Sequence, residues 1–474
     1  MAQRPRLRVA GSRVIAGGGR SRDHELMYDA RARTYLARCL ADAFLAGAWN
    51  ERGLVARAGR VLDRRPSWVP TVARAVLAAY RDPPADRPRE LARLVELALG
   101  RAGEIDGELA PPQVVRWLVP ESAMGRRRWP VPELASVRAL GEFLEATDGE
   151  LAWMADVRGL ERSVGDEGLR HYRYTLVPRR ARPVRVIERP KHRLKAIQRQ
   201  ILHEILDRIP AHDAAHGFTV GRSVATHARQ HTGRYAVLRM DLEDFFASIS
   251  AARVFGIFRA AGYPESVAHA LTGLVTNVVP ADVWQALTVP ADSRQMGAHH
   301  RLGRRLATPH LPQGAPTSPG LANLAAFRLD RRLSGLAGAL ELSYTRYADD
   351  LTFSGSRRLV RAAARLRGTV AGIVREEGFA ANDQKTMLAT RAGRQRVCGV
   401  VVNERVNVAR SDYDVLKAIL HNSRVHGPAS QNHAGVRDFR AHLLGRISWV
   451  ASLHPARGER LRRQWAAIEW PEPS

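Results

Sequence analysis

Apolar residues recur at helical spacing through the first part of the chain. Leu36, Leu40, Ala43 and Phe44 fall on one face, as do Val72, Ala75, Val76 and Ala79, which predicts helices from about His24 to Leu99. Pro66, Pro70 and the Pro83–Pro88 cluster should cut this region into short pieces. A Gly/Pro-rich stretch near Gly100 to Pro112 and the run "GRRRWPVP" from Gly125 read as boundaries. Between Pro132 and Val157 a further helical pair is predicted, with Leu134, Val137, Leu140 and Leu144 as its stripe. No motif in this first third points to chemistry, so it reads as a helical scaffold or a docking surface for RNA or protein.

The period then changes from helical to twofold. Tyr174, Leu176, Val184 and Val186 alternate with basic residues, predicting a strand pair with one cationic face and a helix from about Lys195. Arg185, Arg189 and Lys191 on that face either hold phosphates or guard a solvated strand edge. A strand over Tyr235–Met240 ends in Asp241, followed by Phe245 and Phe246. "TRYADDLTFSG", residues 345–355, reads as a hairpin with Asp349 and Asp350 at its tip. "LPQGAPTSPG", 311–320, is a rigid loop leading into a helix over Leu321–Leu333, so Gln313, Gly314 and the loop's N–H groups can approach a ligand closely. A second hairpin is predicted over Arg396–Val408. Beyond it come a helix opened by a Ser411/Asp414 capping box and another carrying Val436, Phe439, Leu443 and Ile447.

Charge narrows the class of partner. The 474 residues carry a formal net charge of +27, which favours a polyanion, nucleic acid first, with affinity that falls as salt rises. The basic residues are almost all arginine; lysine occurs only at Lys191, Lys195, Lys385 and Lys417. Cys39 and Cys398, far apart and in no CxxC, exclude a cysteine-built zinc site and a disulfide framework. The basic, Gly-rich residues 1–23 lack an apolar core and read as a flexible arm, and no run of about 18 apolar residues suggests a membrane span. A soluble, cytoplasmic protein is expected.

Two adjacent carboxylates in an apolar hairpin are costly unless a cation compensates them. If the hairpin lies beside the strand ending in Asp241, three carboxylates converge, a hard-oxygen set suited to Mg²⁺. Two such ions about 3.5–4 Å apart stabilise the attacking and leaving oxygens of an in-line phosphoryl transfer. Lys385 stands out in an arginine-rich chain. Its ammonium can release a proton, which suits a general acid for departing pyrophosphate.

In order, D-x-x-x-F-F, L-P-Q-G-x-x-x-S-P, Y-A-D-D, G…K and V-x-G-x-x-V-N resemble bacterial reverse transcriptases, most of all the retron type. "RVIERPKHRLKAIQRQIL" and "AHGFTVGRS" (215–223) resemble that family's fingers region. The resemblance runs from about Leu151 to the carboxyl end. It implies an α+β right-hand polymerase: fingers over 151–234, an antiparallel-sheet palm over 235–408 with a fingers insert at about 251–320, and a helical thumb over 409–474. A helical region, 24–150, would precede these. It implies that Asp241, Asp349 and Asp350 are the metal triad for two Mg²⁺ ions, with Mn²⁺ as a substitute, and that Asp241 and Asp349 are the direct ligands. Arg185 would meet the incoming triphosphate, Phe246 would gate the sugar against a 2′-OH, Gln313 and Gly314 would line the nucleotide pocket, and Lys385 would be the late-motif lysine. The Val400–Val408 hairpin would steady the primer end. Partners would be an RNA template, a DNA product and deoxynucleoside triphosphates, with a structured non-coding RNA and an effector protein in an anti-phage setting.

Two positions depart from the family pattern. His227-Ala228-Arg229-Gln230-His231 stands where N-A-x-x-H is usual, and Val397-Cys398-Gly399 where V-T-G is usual. Two other readings compete. A group II intron-like enzyme would need a DNA-binding and endonuclease extension, for which the expected layout leaves no room. A catalytically silent nucleic-acid scaffold would have no use for repulsive acids facing a polyanion.

Overall fold

The computed structural model describes residues 22–106, 112–118, 120, 122–179, 184–287 and 293–470. The arm expected over 1–23 lies outside them except for its last two residues, which begin the first helix at Arg22. The chain forms two compact units, divided at Gly125/Arg126.

In the first unit the helices are Arg22–Leu45, Glu51–Val61, Val69–Ala79 and Pro88–Asp106. Leu36, Leu40, Phe44, Leu54, Val72, Val76, Leu91 and Val95 make its core. The buried stripe of the third helix is Val69, Val72, Ala73 and Val76, so Ala79, expected on that face, points to solvent. Pro70 and Pro88 start helices rather than break them, because the first turn has no use for the missing N–H. Arg57 is buried and donates to the carbonyls of Ala43, Phe44 and Ala48, satisfying the end of the first helix.

The second unit is α+β. Its hairpin β1 (Tyr172–Val177) and β2 (Arg185–Pro190) is antiparallel, with Tyr172 opposite Pro190. The central sheet contains β3 (Ala236–Asp241), β4 (Ser343–Tyr347), β5 (Asp350–Gly355) and β6 (Met387–Thr390), in the order β4-β5-β3-β6 and antiparallel throughout. The interior strand β3 is almost wholly buried, which is why it is apolar apart from half-buried Arg239 and the terminal Asp241. The helix Arg358–Glu376 packs across β3, β5 and β6. Val237 joins a separate core built from Val397, Val400, Leu416, Leu420, Leu443 and Ile447. That core holds the short hairpin β7 (Arg396–Val397) and β8 (Val400–Val401) and the closing helices Arg410–His426, Phe439–Leu453 and Pro455–Ala466 to the sheet.

Three local expectations are corrected. The helix over 321–333 is two helices, Ser318–Ala325 and Phe327–Ala339, parted at Ala326. Ser411 does not cap its helix: the helix begins at Arg410 after Ala409, and the Ser411 hydroxyl turns to Asp412. The capping box lies instead at Ser223 and Thr226, where each side chain serves the other's backbone N–H. The helix predicted from about Lys195 starts at His192.

Candidate active site

Antiparallel pairing of β3 with β5 sets Asp241 opposite Asp350, and the two-residue turn between β4 and β5 is Ala348-Asp349. Ala348 takes a left-handed backbone, φ +55°. The turn is anchored from beneath by Arg346, which is fully buried. Its guanidinium donates to both oxygens of buried Asp330 at 2.8 and 2.7 Å, to Asn323 Oδ1 at 3.1 Å and to the Ala348 carbonyl at 3.0 Å. The Leu242 N–H donates to the Asp349 carbonyl at 2.9 Å, tying the strand end to the turn.

A cleft of about 700 Å³ opens over this point. Asp241, Asp349, Lys385, Arg185, Phe246 and Gln313, far apart in sequence, all line it. Lys385 Nζ donates to both Asp241 oxygens, at 2.6 and 2.7 Å. Burial raises the Asp241 carboxyl to a pKa of about 6; Lys385 opposes this, while Asp349 and Asp350 add to it. Asp349 is also raised, by burial first and then by the Asp350 charge, with Lys385 and Arg185 opposing. Two buried carboxylates that repel each other and resist ionisation suit a hard divalent cation, which would hold both in the charged form. Asp241 and Asp349 are the residues that could hold it.

Asp350, expected as a third metal ligand, does not line the cleft. Its Oδ1 accepts from Arg239 at 3.2 Å and its Oδ2 lies 3.6 Å from Cys398 Sγ. Among the described residues no group of three or more His, Cys, Asp or Glu side chains is arranged to hold a metal. The Cys398 thiol, buried and beside Asp350, is pushed up to about 12.

Gly314 also lies outside the cleft lining and serves through its backbone. Its φ is +136°, and a Cβ there would sit 2.8 Å from the Glu188 carbonyl, so only glycine lets the 311–320 loop meet β2 this closely. Gln313 accepts from the Glu188 N–H at 2.9 Å. The buried Glu188 carboxylate in turn binds Asn277 Nδ2 at 2.8 Å and His310 Nε2 at 3.0 Å. Glu188 and His310 carried no sequence signal beyond an acid inside a basic strand. Together they bind the strand carrying Arg185 to the loop carrying Gln313.

Burial lowers the His310 pKa, but the Glu188 charge and the hydrogen bonds to Glu188 and the Thr308 carbonyl outweigh it and leave His310 above its ordinary value. A raised histidine stabilises the fold fully below its unfolded value, about 6.5, and loses that contribution as pH rises through the folded value. The wild-type melting temperature, measured from pH 5.5 to 9, should therefore fall relative to that of His310→Gln as pH rises through this window. A constant difference between the two proteins would contradict the assignment.

His227, which departs from the family pattern, and His231, which keeps it, are buried partners of the hairpin. Thr345 Oγ1 lies 2.7 Å from both His227 Nδ1 and His231 Nε2, and His231 Nδ1 lies 2.7 Å from Ser354 Oγ. Thr345 has one proton, so it donates to one ring and accepts from the other. Burial lowers both histidines, His231 to about 3, and keeps the network neutral.

Arg189 donates to Thr175 Oγ1 and the Lys191 ammonium to the Glu167 and Gly168 carbonyls, whereas exposed Arg185 lines the cleft. Of the three basic residues marked on this strand pair, only Arg185 faces the carboxylates. Among the described residues no helix is long and apolar enough to cross a membrane.

Residues 177–417 match the family described as reverse transcriptase (RNA-dependent DNA polymerase). The Retron Mx65 reverse transcriptase of Myxococcus xanthus is 42% identical over 298 residues, 63% of this chain and 65% of that protein. The Retron Mx162 reverse transcriptase of the same organism is 36% identical over 351 residues, 71% of this chain and 68% of that protein. The Retron Ec86 reverse transcriptase of Escherichia coli is 34% identical over 239 residues, 50% of this chain and 65% of that protein. The chain thus spans about two thirds of the length of these relatives.

Proposed function

Because the chain belongs to the reverse transcriptase (RNA-dependent DNA polymerase) family, in its bacterial retron type, we propose that it extends a DNA strand on an RNA template with deoxynucleoside triphosphates. The observation that carries this reading is the single cleft shared by Asp241, Asp349, Arg185, Phe246, Gln313 and Lys385. Asp241 and Asp349 would hold Mg²⁺, which when bound supplies charge stabilisation for the attacking and leaving oxygens. Arg185 would pair with the triphosphate, and Gln313, held by Glu188, would line the nucleotide's place. Lys385 keeps Asp241 in position and would give a proton to departing pyrophosphate. Asp350 acts on the turn through Arg239 rather than on the substrate.

In this reading the β1–β2 hairpin and its helix are fingers, the central sheet is the palm, and the helices from Arg410 are the thumb. The first unit would dock an effector protein. A structured non-coding RNA transcribed beside the gene would supply the template, in a cytoplasmic anti-phage role.

Phe246 gates the sugar in this account. Phe246→Ala should lower the preference for deoxynucleotides over ribonucleotides by roughly 10- to 100-fold in competitive incorporation. An unchanged preference would remove the gate assignment.

The biological reading is tested by expressing the chain with its native flanking DNA. Nucleic acid bound to the protein is extracted, treated with RNase and sequenced. One discrete single-stranded DNA that disappears with Asp349→Ala is expected. No such DNA, from a protein that extends primers when purified, would contradict a template linked to the gene.

A further inference from the structure

Phe218 is out of place as an ordinary apolar side chain. It is 52% exposed, yet it stands in the lining of the cleft and in the left-handed backbone region, φ +59°. For a bulky aromatic residue that conformation is disfavoured and persists only where its surroundings impose it. The surroundings here are explicit. The His216 N–H donates to the Arg346 carbonyl at 2.8 Å and the Arg346 N–H to the Ala214 carbonyl at 2.7 Å. Asn323 Nδ2 donates to the Gly217 carbonyl at 2.8 Å, and Thr219 Oγ1 to the Ala215 and Gly217 carbonyls. Gly217 lies so close to the catalytic turn that a Cβ would sit 2.7 Å from the Ala348 nitrogen.

The loop is thus fastened to the turn that carries Asp349, and it holds an aromatic ring out into the cleft. The ring centroid lies 6.4 Å from that of Phe246 and 6.3 Å from that of Tyr347, tilted by 53° and 40°. These separations are near the outer limit of ring contact, about 7 Å, so neither neighbour covers the ring. A strained, preorganised and half-exposed aromatic beside a phosphoryl-transfer site has the properties of a stacking platform for a base.

We propose that Phe218 stacks on a nucleobase of the nascent base pair, an inference that rests on the polymerase reading above. The pair forming at the primer end has one face on the duplex and the other toward the protein. Phe218, between the residue assigned to the sugar and the tyrosine that leads into Asp349, covers that outer face. Stacking tolerates every base, which suits a site that must accept all four.

The test uses the full chain with an RNA template annealed to a chain-terminated DNA primer. In one arm 2-aminopurine occupies the templating position; in the other, 2-aminopurine deoxynucleoside triphosphate is bound opposite uracil. Stacking quenches 2-aminopurine emission. Wild-type protein should quench in at least one arm, Phe218→Ala and Phe218→Leu should lose that quenching, and Phe218→Trp should keep it. The arm that responds identifies the template base or the incoming base as the partner. With an extendable primer, Phe218→Ala should raise KM for the deoxynucleotide on the order of 10-fold while its melting temperature stays at the wild-type value. Equal quenching by wild type and Phe218→Ala in both arms, from wild-type protein that binds and extends the primer, overturns the stacking role alone. Wild-type protein that binds the template–primer but extends nothing overturns the polymerase reading instead.

Discussion

Replacing Asp349 by alanine should reduce deoxynucleotide incorporation by a factor on the order of 10³ or more, because the cation and the charge it stabilises lose one of two carboxylates. RNA binding should persist, since the cationic surface is untouched and a repulsive acid has been removed. Asp350→Asn should cost less, because Asp350 accepts from Arg239 and lies outside the cleft lining. Equal losses at Asp349 and Asp350 in single-turnover incorporation would return Asp350 to the substrate side of the site.

The largest expected effect on stability lies below the same turn. Arg346 and Asp330 are both 0% exposed as side chains and bonded in a two-pronged geometry. Arg346→Met would leave the Asp330 carboxylate buried with, among the described residues, only the Tyr344 hydroxyl as its remaining side-chain donor and free the Asn323 and Ala348 oxygens. The expected loss is about 3–5 kcal/mol, measured by urea denaturation. Replacing both partners, Arg346→Met with Asp330→Leu, should recover most of it, because no buried charge is then left alone. A double variant no more stable than Arg346→Met would show that the other contacts of Arg346 dominate.

The acids of the cleft were legible because chemistry constrains them twice. Asp241 interrupts an apolar strand at its end, and Asp349 sits where a hairpin must turn. Both placements are costly enough to stand out, and the ordered motifs joined them into one site. Arg185 and Lys385 stood out by charge pattern, the strand pair and the hairpin of Asp349 by their period of two, and β3 by its apolar character. What the sequence hid depends on long-range contact. Asp350 and Asp349 look equivalent as neighbours, but strand alternation and Arg239 send their carboxylates to different partners. Glu188 and His310, separated by 122 positions, become one network only after β2 meets the 311–320 loop. Phe218 lies in a stretch that resembles the fingers region, but nothing local marks its ring, since its meaning comes from a backbone held by the contacts of Gly217 with Asn323 and Ala348. Ser411 illustrates the opposite failure: a plausible capping spacing lost to Asp412 next door and to a helix that starts one residue earlier.

The most direct measurement is extension of a labelled DNA primer on an RNA template by the purified protein, with the four deoxynucleoside triphosphates and Mg²⁺. RNA-dependent extension that ends with Asp349→Ala, in a variant that still binds the template–primer, is the predicted result. A wild-type protein that binds the RNA–DNA duplex but adds no nucleotide with Mg²⁺ or Mn²⁺ would contradict the account and leave the cleft as a nucleic-acid-binding surface.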